Sequence, residues 1–261
     1  MNKICLIRSG HLGDVIMTEP IGRFFNSQYD EVYLATDFIQ AKLLIGNSFT
    51  DFIKFSELEN CNIKFDKKII LNYELSPNSD YIEGYANSAN VILDDKIPKV
   101  NSDWKNIIEE DYVLIAPYTS HWVSAMRNWG ERNFIHLKNR IEEEYKIRVV
   151  VLNKKYSFTE MLSLIRHCKM LIGNDSAPGI IAQCFNINSA IIFGATHPKL
   201  VFFNQNSKGI FSDIDCIGCR HISRHTEIEC GSPICLSELT IETVFNYINP
   251  TLKTILHNER M

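Results

Sequence analysis

Short apolar segments alternate with amphipathic stretches along the chain, and this alternation is typical of a parallel β-sheet covered by helices. In the first half, apolar runs predict strands at residues 4–8, 31–35, 51–55 and 68–71. The amphipathic stretches predict helices at residues 14–26, 38–45 and 81–89. Residues 93–110 lose this rhythm, because they contain a proline and many charges, and we interpret them as the crossing between two halves.

The second half repeats the pattern. Strands are predicted at residues 112–116, 148–152, 170–172 and 190–193, and helices at 131–145, 158–168, 177–185 and 241–257. Two βα halves joined by a linker predict an α/β fold. In such a fold an active site is expected in the cleft between the halves, outside the carboxyl ends of the strands.

Composition and charge argue against several classes of protein. Of the 261 residues, 45% are hydrophobic and 22% are charged, which is the balance of a globular protein. The net charge is −4 and the basic residues are scattered, so nucleic acid is not an expected partner. No apolar run approaches the roughly 18 residues of a transmembrane segment. The N-terminal apolar run ends at Arg8 and is too short for a signal peptide, so a cytoplasmic protein is expected.

A turn rich in small residues follows the first predicted strand. Gly10 and Gly13 permit a tight turn and a close approach of the backbone, and Asp14 stands at the start of the next helix. From spacing alone, Asp14 is a helix cap that accepts backbone N–H groups. The turn is not a dinucleotide fingerprint, because G-x-G-x-x-G is absent.

Two strand ends in the second half have the character of a phosphate site. Asp175, Ser176 and Ala177 open a helix, whose dipole and backbone N–H groups attract anions, although a simple helix cap explains the same residues. Thr119 and Ser120 follow another strand. Arg127 comes shortly afterwards and could bridge two phosphates, or it could belong to a solvated loop above a packed Trp129.

The order and spacing of these segments resemble glycosyltransferase family 9, the heptosyltransferase-type enzymes. The resemblance is carried by SGHLGDVIMTEPI, by LLIGNSFTDFIKF, by LIGNDSAPGIIAQCFNINSAIIFGATHP and by clustered cysteines before a final helix. It spans nearly the whole chain in the right order. The chain departs from the family in a shortened loop between residues 151 and 158, in Asn153 where an acidic residue is expected, in Ile180 where a histidine is usual, and in Arg127 in place of a lysine.

The resemblance implies a GT-B-like fold of two Rossmann-like halves, an acceptor-side domain at residues 1–95 and a nucleotide-sugar-binding domain at residues 111–261. It also implies an inverting transfer, most simply of a heptose from ADP-heptose, to a glycan, a lipopolysaccharide core or a protein hydroxyl. Asp14 is then the candidate general base. No catalytic metal is expected, since Arg127 and the helix start at Ser176–Ala177 can stabilise the departing diphosphate. The residues expected to bind the nucleotide-sugar are Gly13, Thr119, Ser120, Arg127, Asp175, Ser176 and Ala177.

Four of the eight cysteines cluster at residues 212–236, as Cys216, Cys219, Cys230 and Cys235. This C-x2-C-x10-C-x4-C spacing is typical of a tetrahedral thiolate site for structural zinc or iron. Unligated thiols or a disulfide are the alternatives, and His221 and His225 are further possible ligands. Family 9-like enzymes that glycosylate autotransporter proteins carry an iron-bound four-cysteine finger, which the cluster resembles.

Three rival functions fit the sequence to different degrees. A non-catalytic nucleotide-sugar binder or assembly subunit would explain the shortened loop and Ile180. A redox or nucleic-acid protein built around the cysteines fits poorly with the acidic balance and the βα pattern, and an epimerase would need a Tyr/Lys or paired-base signature that is not seen.

Overall fold

The computed structural model describes residues 1–76, 79–119, 124–222, 230 and 232–257. The chain divides into two compact units. Unit 1 consists of Met1–Asp103 and Lys199–Phe203, and unit 2 consists of Trp104–Pro198 and Asn204–Met261.

Unit 1 is built on a parallel sheet of four strands in the order β3-β2-β1-β4. The strands are β1 (Lys3–Ile7), β2 (Glu31–Thr36), β3 (Asp51–Lys54) and β4 (Lys67–Ile70). Its α-helices are α1 (Leu12–Ile16), α2 (Glu19–Phe25), α3 (Lys42–Ile45) and α4 (Tyr81–Ala89). Short 3-10 turns lie at Ile39–Ala41, Gly46–Ser48, Phe55–Asn60 and Tyr73–Leu75. Because β1 is central, the residues that follow it lie between the ends of β2 and β4.

Unit 2 contains a parallel sheet of five strands in the order β6-β5-β7-β8-β9. The strands are β5 (Tyr112–Ala116), β6 (Arg148–Val151), β7 (Met170–Asn174), β8 (Ser189–Ile192) and β9 (Ser207–Ile210). The helices are α5 (Ser124–Arg127), α6 (Glu131–Tyr145), α7 (Phe158–His167), α8 (Ala177–Cys184), α9 (Cys219–Ile222), α10 (Ile234–Ser237) and α11 (Ile241–His257). Apolar residues of β5, β7 and β8 pack with α6 and α11 in one core.

The predicted helix at residues 14–26 was wrong in one respect, because the structure has two helices there. Pro20 lacks an N–H group and its ring would collide with a preceding carbonyl in a continuous helix. The chain therefore turns at Thr18, whose hydroxyl donates to the carbonyl of Val15 (2.7 Å). At its other end α1 begins at Leu12, so Asp14 is the third helical residue and His11 takes the N-cap position.

A buried carboxylate holds the end of unit 1 in place. Glu19 is fully shielded from solvent and accepts hydrogen bonds from the side chains of Arg23 (3.1 Å) and Ser48 (2.5 Å) and from the backbone N–H of Lys99 (2.7 Å). Arg23 also donates to Asp95 (3.2 Å). These bonds attach residues 95–99, which form neither helix nor strand, to α2.

Strand β9 was not predicted. Its sequence, Ser-Lys-Gly-Ile, has no apolar run, and it forms the edge of the sheet beside β8. Within the described residues, no helix has both the length and the apolar character needed to cross a bilayer.

Candidate functional site

The first group of functional side chains lies at the carboxyl end of β1 in unit 1. Arg8 follows the last residue of the strand and is 8% exposed, which is unusual for a cation. Gly10 permits the turn that follows, because its φ of 148° is rarely adopted by other residues. A Cβ atom on Gly10 would also lie 3.2 Å from the Asp14 carboxylate, so this position needs a glycine on two grounds.

Asp14 is held by two contacts at one oxygen. Its Oδ2 atom accepts the backbone N–H of His11 (3.0 Å) and lies 3.9 Å from Nη2 of Arg8. The first contact is the return bond of a capping box, in which the third helical residue satisfies the N–H of the residue before the helix. The second places a cation beside the carboxylate. The Asp14 side chain is largely shielded but keeps 16% of its surface exposed, so solvent can still reach it.

Arg8 lies in a cage formed by the segment after β4 and by α4. Its two Nη atoms donate to the two carboxylate oxygens of Glu74 (3.1 and 3.0 Å), and Nη1 also donates to the carbonyl of Leu71 (3.3 Å). The guanidinium carbon lies 4.8 Å from the ring centre of Tyr73 and 5.1 Å from that of Tyr85. Burial opposes the cation, but Tyr85, Glu74 and Asp14 outweigh it and raise the pKa of Arg8 well above its usual value.

The second group lies at the carboxyl ends of three adjacent strands in unit 2. Thr119 follows β5, Asp175 follows β7 and Thr196 follows β8. The close spacing of β5 and β7 at this edge depends on Gly173, where a Cβ atom would lie 2.5 Å from the carbonyl oxygen of Ala116. Since the strands are parallel and neighbouring, these side chains share one edge of the sheet.

A buried asparagine fixes the loop that carries Arg127. The amide of Asn174 donates to the carbonyl of Pro117 (2.5 Å) and accepts the backbone N–H of Trp129 (3.0 Å). The Trp129 ring is buried and donates to the carbonyl of Leu239 (2.6 Å). Trp129 thus packs into the core, and the segment before it, which includes Arg127, is anchored at the end of β7.

Arg127 and Asp175 form an ion pair, with 3.3 Å between Nε and Oδ2. The side chains are 17% and 8% exposed, so the alternative of a solvated loop does not describe Arg127. The hydroxyls of Thr119 and Thr196 are shielded from solvent, and neither has a hydrogen-bond partner among the described residues. A buried hydroxyl without a partner loses about 1–3 kcal/mol, which favours a polar ligand or water at this position.

Of the remaining predicted binding residues, Ser176 and Ala177 directly follow Asp175, and Gly13 belongs to unit 1. Ser176 precedes α8, but its hydroxyl donates to the carbonyl of Asn174 (3.1 Å) instead of capping the helix, and Ala177 is the first helical residue. Gly13 lies in unit 1 as the second residue of α1, and its carbonyl accepts the N–H of Met17 (3.2 Å). Ser120 lies outside the described residues.

The four clustered cysteines line one cavity of about 200 Å³, together with Met126 and Ala195. Burial raises the pKa of the Cys235 thiol to about 11, and the nearby Cys216, Cys230 and Cys219 add to this effect. Four thiols are nevertheless the donor type that zinc and iron prefer. In the described part of the chain, however, no group of three or more His, Cys, Asp or Glu side chains is arranged as a metal site. His225 lies outside the described residues, and the side chain of His221 is also outside them.

Sequence reasoning missed Arg8, Glu74, Asn174 and Thr196 as parts of these groups. Arg8 had a detectable signal, because a single cation directly after a buried strand must find partners. Glu74 had none, since its role depends on the pairing of β1 with β4.

Comparisons with known proteins identify similar sequences and folds. Residues 137–228 match the family model of glycosyltransferase family 9 (heptosyltransferase). No curated protein sequence matches the chain significantly. The iron-containing dodecameric glycosyltransferase TibC from enterotoxigenic E. coli H10407 has a similar structure, with a TM-score of 0.77, 16% identity, and coverage of 100% of this chain and 77% of TibC.

Two further solved structures are similar. TibC in complex with ADP-D-beta-D-heptose has a TM-score of 0.73 and 14% identity, over 97% of this chain and 76% of that one. E. coli ADP-heptose LPS heptosyltransferase II has a TM-score of 0.64 and 12% identity, over 100% of both chains. The predicted GT-B-like α/β fold and the resemblance to family 9 are confirmed, and the family match supports a glycosyltransferase. The cysteine finger stays a prediction.

Proposed function

We propose that this chain is an inverting glycosyltransferase that moves a heptose from ADP-heptose to a hydroxyl of a glycan, a lipopolysaccharide core or a protein. The observation that carries the proposal is the carboxylate of Asp14 at the carboxyl end of β1, beside the buried cation of Arg8. The family match and the heptosyltransferase fold support the reaction class. The complex of TibC with ADP-D-beta-D-heptose supports the choice of donor.

In this reaction the acceptor hydroxyl attacks the anomeric carbon of the donor and must lose its proton. Asp14 accepts that proton as a general base. The bond between the anomeric carbon and the diphosphate oxygen breaks as the new glycosidic bond forms, so the configuration inverts. A carboxylate fixed by the N–H of His11 (3.0 Å) has a defined orientation before the acceptor binds.

The donor diphosphate is proposed to bind at the carboxyl edge of the unit 2 sheet. Arg127 and the N-terminus of α8 at Ser176–Ala177 provide positive charge and backbone donors. The shielded hydroxyls of Thr119 and Thr196 provide additional hydrogen bonds. These groups stabilise the negative charge that develops on the leaving group, so the proposal includes no catalytic metal. Asp175 orients Arg127 through their ion pair (3.3 Å).

A metal at the cysteine cluster belongs to the proposal as a structural element. Cys216, Cys219, Cys230 and Cys235 line one cavity, and four thiolates complete a tetrahedral site for zinc or iron. When bound, the metal would crosslink α9 and α10. The description of TibC as iron-containing favours iron.

One observation favours a second candidate, a nucleotide-sugar-binding protein without catalysis. The bond from the His11 N–H to Asp14 is also what a purely structural helix cap would make. In that case Asp14 stabilises α1 and transfers no proton.

Ligand binding and product analysis test the proposal together. The thermal midpoint is measured with ADP, GDP, UDP, CMP and ADP-heptose, since a ligand that binds the native state raises it. ADP and ADP-heptose are expected to give the largest shifts. The protein is then incubated with ADP-heptose and each acceptor class, and the product's anomeric configuration is determined by NMR. Nucleotide binding without transfer to any acceptor would favour the second candidate, and absence of nucleotide binding would contradict both.

A further inference from the structure

Arg8 lies between two carboxylates, those of Glu74 and Asp14. Arg8 contacts two carboxylates at once: Glu74 through two hydrogen bonds (3.0 and 3.1 Å), and Asp14 at 3.9 Å. The two carboxylates come from separate segments, the turn after β4 and helix α1. Arg8 therefore interacts more strongly with Glu74, through direct hydrogen bonds, than with Asp14, which it contacts only at the longer distance.

Exposure distinguishes the two carboxylates. The Glu74 side chain is half exposed, whereas those of Asp14 and Arg8 are largely shielded, at 16% and 9% exposure. In such surroundings the field of Arg8 at Asp14 is screened less than it would be at the surface. The direct hydrogen bonds to Glu74 neutralise part of that field, so Glu74 determines how strongly Arg8 acts on Asp14.

Within the residues that the structure describes, two phenols and one histidine lie near this cluster. Tyr73, from the same turn as Glu74, and Tyr85, from α4, lie against the guanidinium. Burial, followed by the charge of Asp14, raises the pKa of both phenols above the usual value, so they stay neutral at physiological pH. His11 contributes its backbone N–H, and its ring lies 6.4 Å from the ring of Phe38. The titratable groups are thus Arg8, Glu74, Tyr73, Tyr85 and His11.

We propose that Arg8 is a positioning residue for Asp14: it keeps the carboxylate ionised and oriented, while Glu74 tunes the strength of this effect. The inference rests on the proposed role of Asp14 as the general base. An ionised carboxylate is the form that can accept the acceptor's proton. Arg8 favours this form, because a neighbouring cation stabilises an ionised carboxylate.

The test is a titration of the Asp14 carboxyl in the intact protein. Protein labelled with ¹³C at aspartate carboxyl groups is followed by NMR from neutral to acidic pH, and the Asp14 resonance is assigned by its loss in Asp14→Asn. In Arg8→Gln the midpoint should rise by about one pH unit, because a neighbouring cation no longer favours the ionised form. In Glu74→Gln the midpoint should fall, because a like charge is removed and Arg8 is less neutralised.

Two further variants test whether the shift of the Asp14 midpoint comes from the charge of Arg8 itself. Arg8→Lys keeps the charge and should restore most of the wild-type midpoint. Lys3→Gln is the matched control: it removes a cation from the same strand, paired with Glu31 (2.7 Å). Lys3 lies five residues from Arg8, about 16 Å along a strand and beyond the screening length in physiological salt. It should leave the midpoint unchanged.

Opposite shifts of the Asp14 midpoint in Arg8→Gln and Glu74→Gln support the proposal, while unchanged midpoints or shifts in the same direction overturn it. If Arg8→Gln does not fold, Glu74→Gln alone decides, since its side chain is half exposed. The titration needs no substrate, so it can succeed even if the proposed function fails. Full transfer activity in Asp14→Asn would show that Asp14 is not the general base, but it would not change the measured effect of Arg8 on the Asp14 carboxyl.

Discussion

The Nε atom of Arg127 lies 3.3 Å from the Oδ2 atom of Asp175, and this pair joins the last residue of α5 to the residue after β7. Both side chains are mostly shielded from solvent. A guanidinium held by a carboxylate on one side is oriented before a ligand arrives, which reduces the entropy lost on binding. The pair is therefore suited to present Arg127 to a diphosphate.

Arg127→Ala should weaken ADP binding by about 1.5–3 kcal/mol, the contribution of a hydrogen bond to a charged group. Isothermal calorimetry with ADP measures the change. The alanine variant leaves the buried Asp175 without its cation, so circular dichroism is needed to check the fold. If this variant is unstable, Arg127→Lys keeps the charge and replaces it in the experiment. Arg140→Ala is the matched control, since Arg140 pairs with Glu242 on another face of unit 2 and should not affect ADP. Unchanged affinity in a folded Arg127→Ala protein would remove this residue from the site.

Thr196→Val should weaken ADP binding while leaving the unliganded protein at least as stable. The substitution keeps the shape of the side chain but removes a shielded hydroxyl that has no partner among the described residues. Its loss removes a desolvation penalty of about 1–3 kcal/mol in the unliganded state. Urea unfolding and calorimetry measure the two quantities separately.

Thr18→Val provides the contrast for that experiment. The hydroxyl of Thr18 is buried and donates to the carbonyl of Val15 (2.7 Å), so its removal should lower stability by about 0.5–1.5 kcal/mol without affecting ADP. A Thr196→Val protein that loses stability but binds ADP normally would show that Thr196 is structural.

Much of the fold could be predicted because local pattern and tertiary structure agree. The helices at Tyr81–Ala89, Glu131–Tyr145 and Ile241–His257 and the strand Tyr112–Ala116 have the predicted bounds. Strand β9 could not be predicted, since its formation depends on pairing with β8 and not on its own composition. The break before α2 was predictable in principle, because Pro20 stands where a continuous helix could not contain it.

In the candidate site, too, some residues could be predicted from the sequence and others could not. Asp175 and Ser176 could be singled out because they stand between β7 and α8, and Asp14 because it lies in the first turn of the helix that follows β1. The partners of these residues could not, since Glu74 reaches Arg8 through strand pairing and Asn174 acts by anchoring a distant loop. Tertiary contacts across 45 to 66 positions leave no local signal in the sequence.

One metal ion per chain is expected at the cysteine cluster, and elemental analysis of protein purified without chelator should find zinc or iron in near-stoichiometric amount. Burial raises the pKa of Cys235 to about 11, so metal binding must displace a proton, and metal content should fall as the pH is lowered. Cys219→Ser should lower the thermal midpoint more than the turnover per folded molecule. Cys61→Ser, in unit 1, is the matched control and should keep its metal. A fully stable protein without metal would end this proposal.

Asp14→Asn distinguishes the two roles open to this residue. As a helix cap, the carboxylate accepts the N–H of His11 (3.0 Å), and the amide oxygen of asparagine can accept the same bond. Stability and ADP binding should therefore stay near the wild-type values. As a general base, Asp14 cannot be replaced by a neutral amide, and transfer should fall by about 10²–10⁴-fold. Asp51→Asn is a suitable control, because Asp51 is an exposed carboxylate of the same unit, paired with Lys42 (2.6 Å), and its replacement should leave transfer unchanged. The measurement is the rate of heptose transfer from ADP-heptose to an acceptor that the wild-type protein modifies. Full activity in a folded Asp14→Asn protein would leave Asp14 with only its capping-box bond to His11 and would require another base in the reaction.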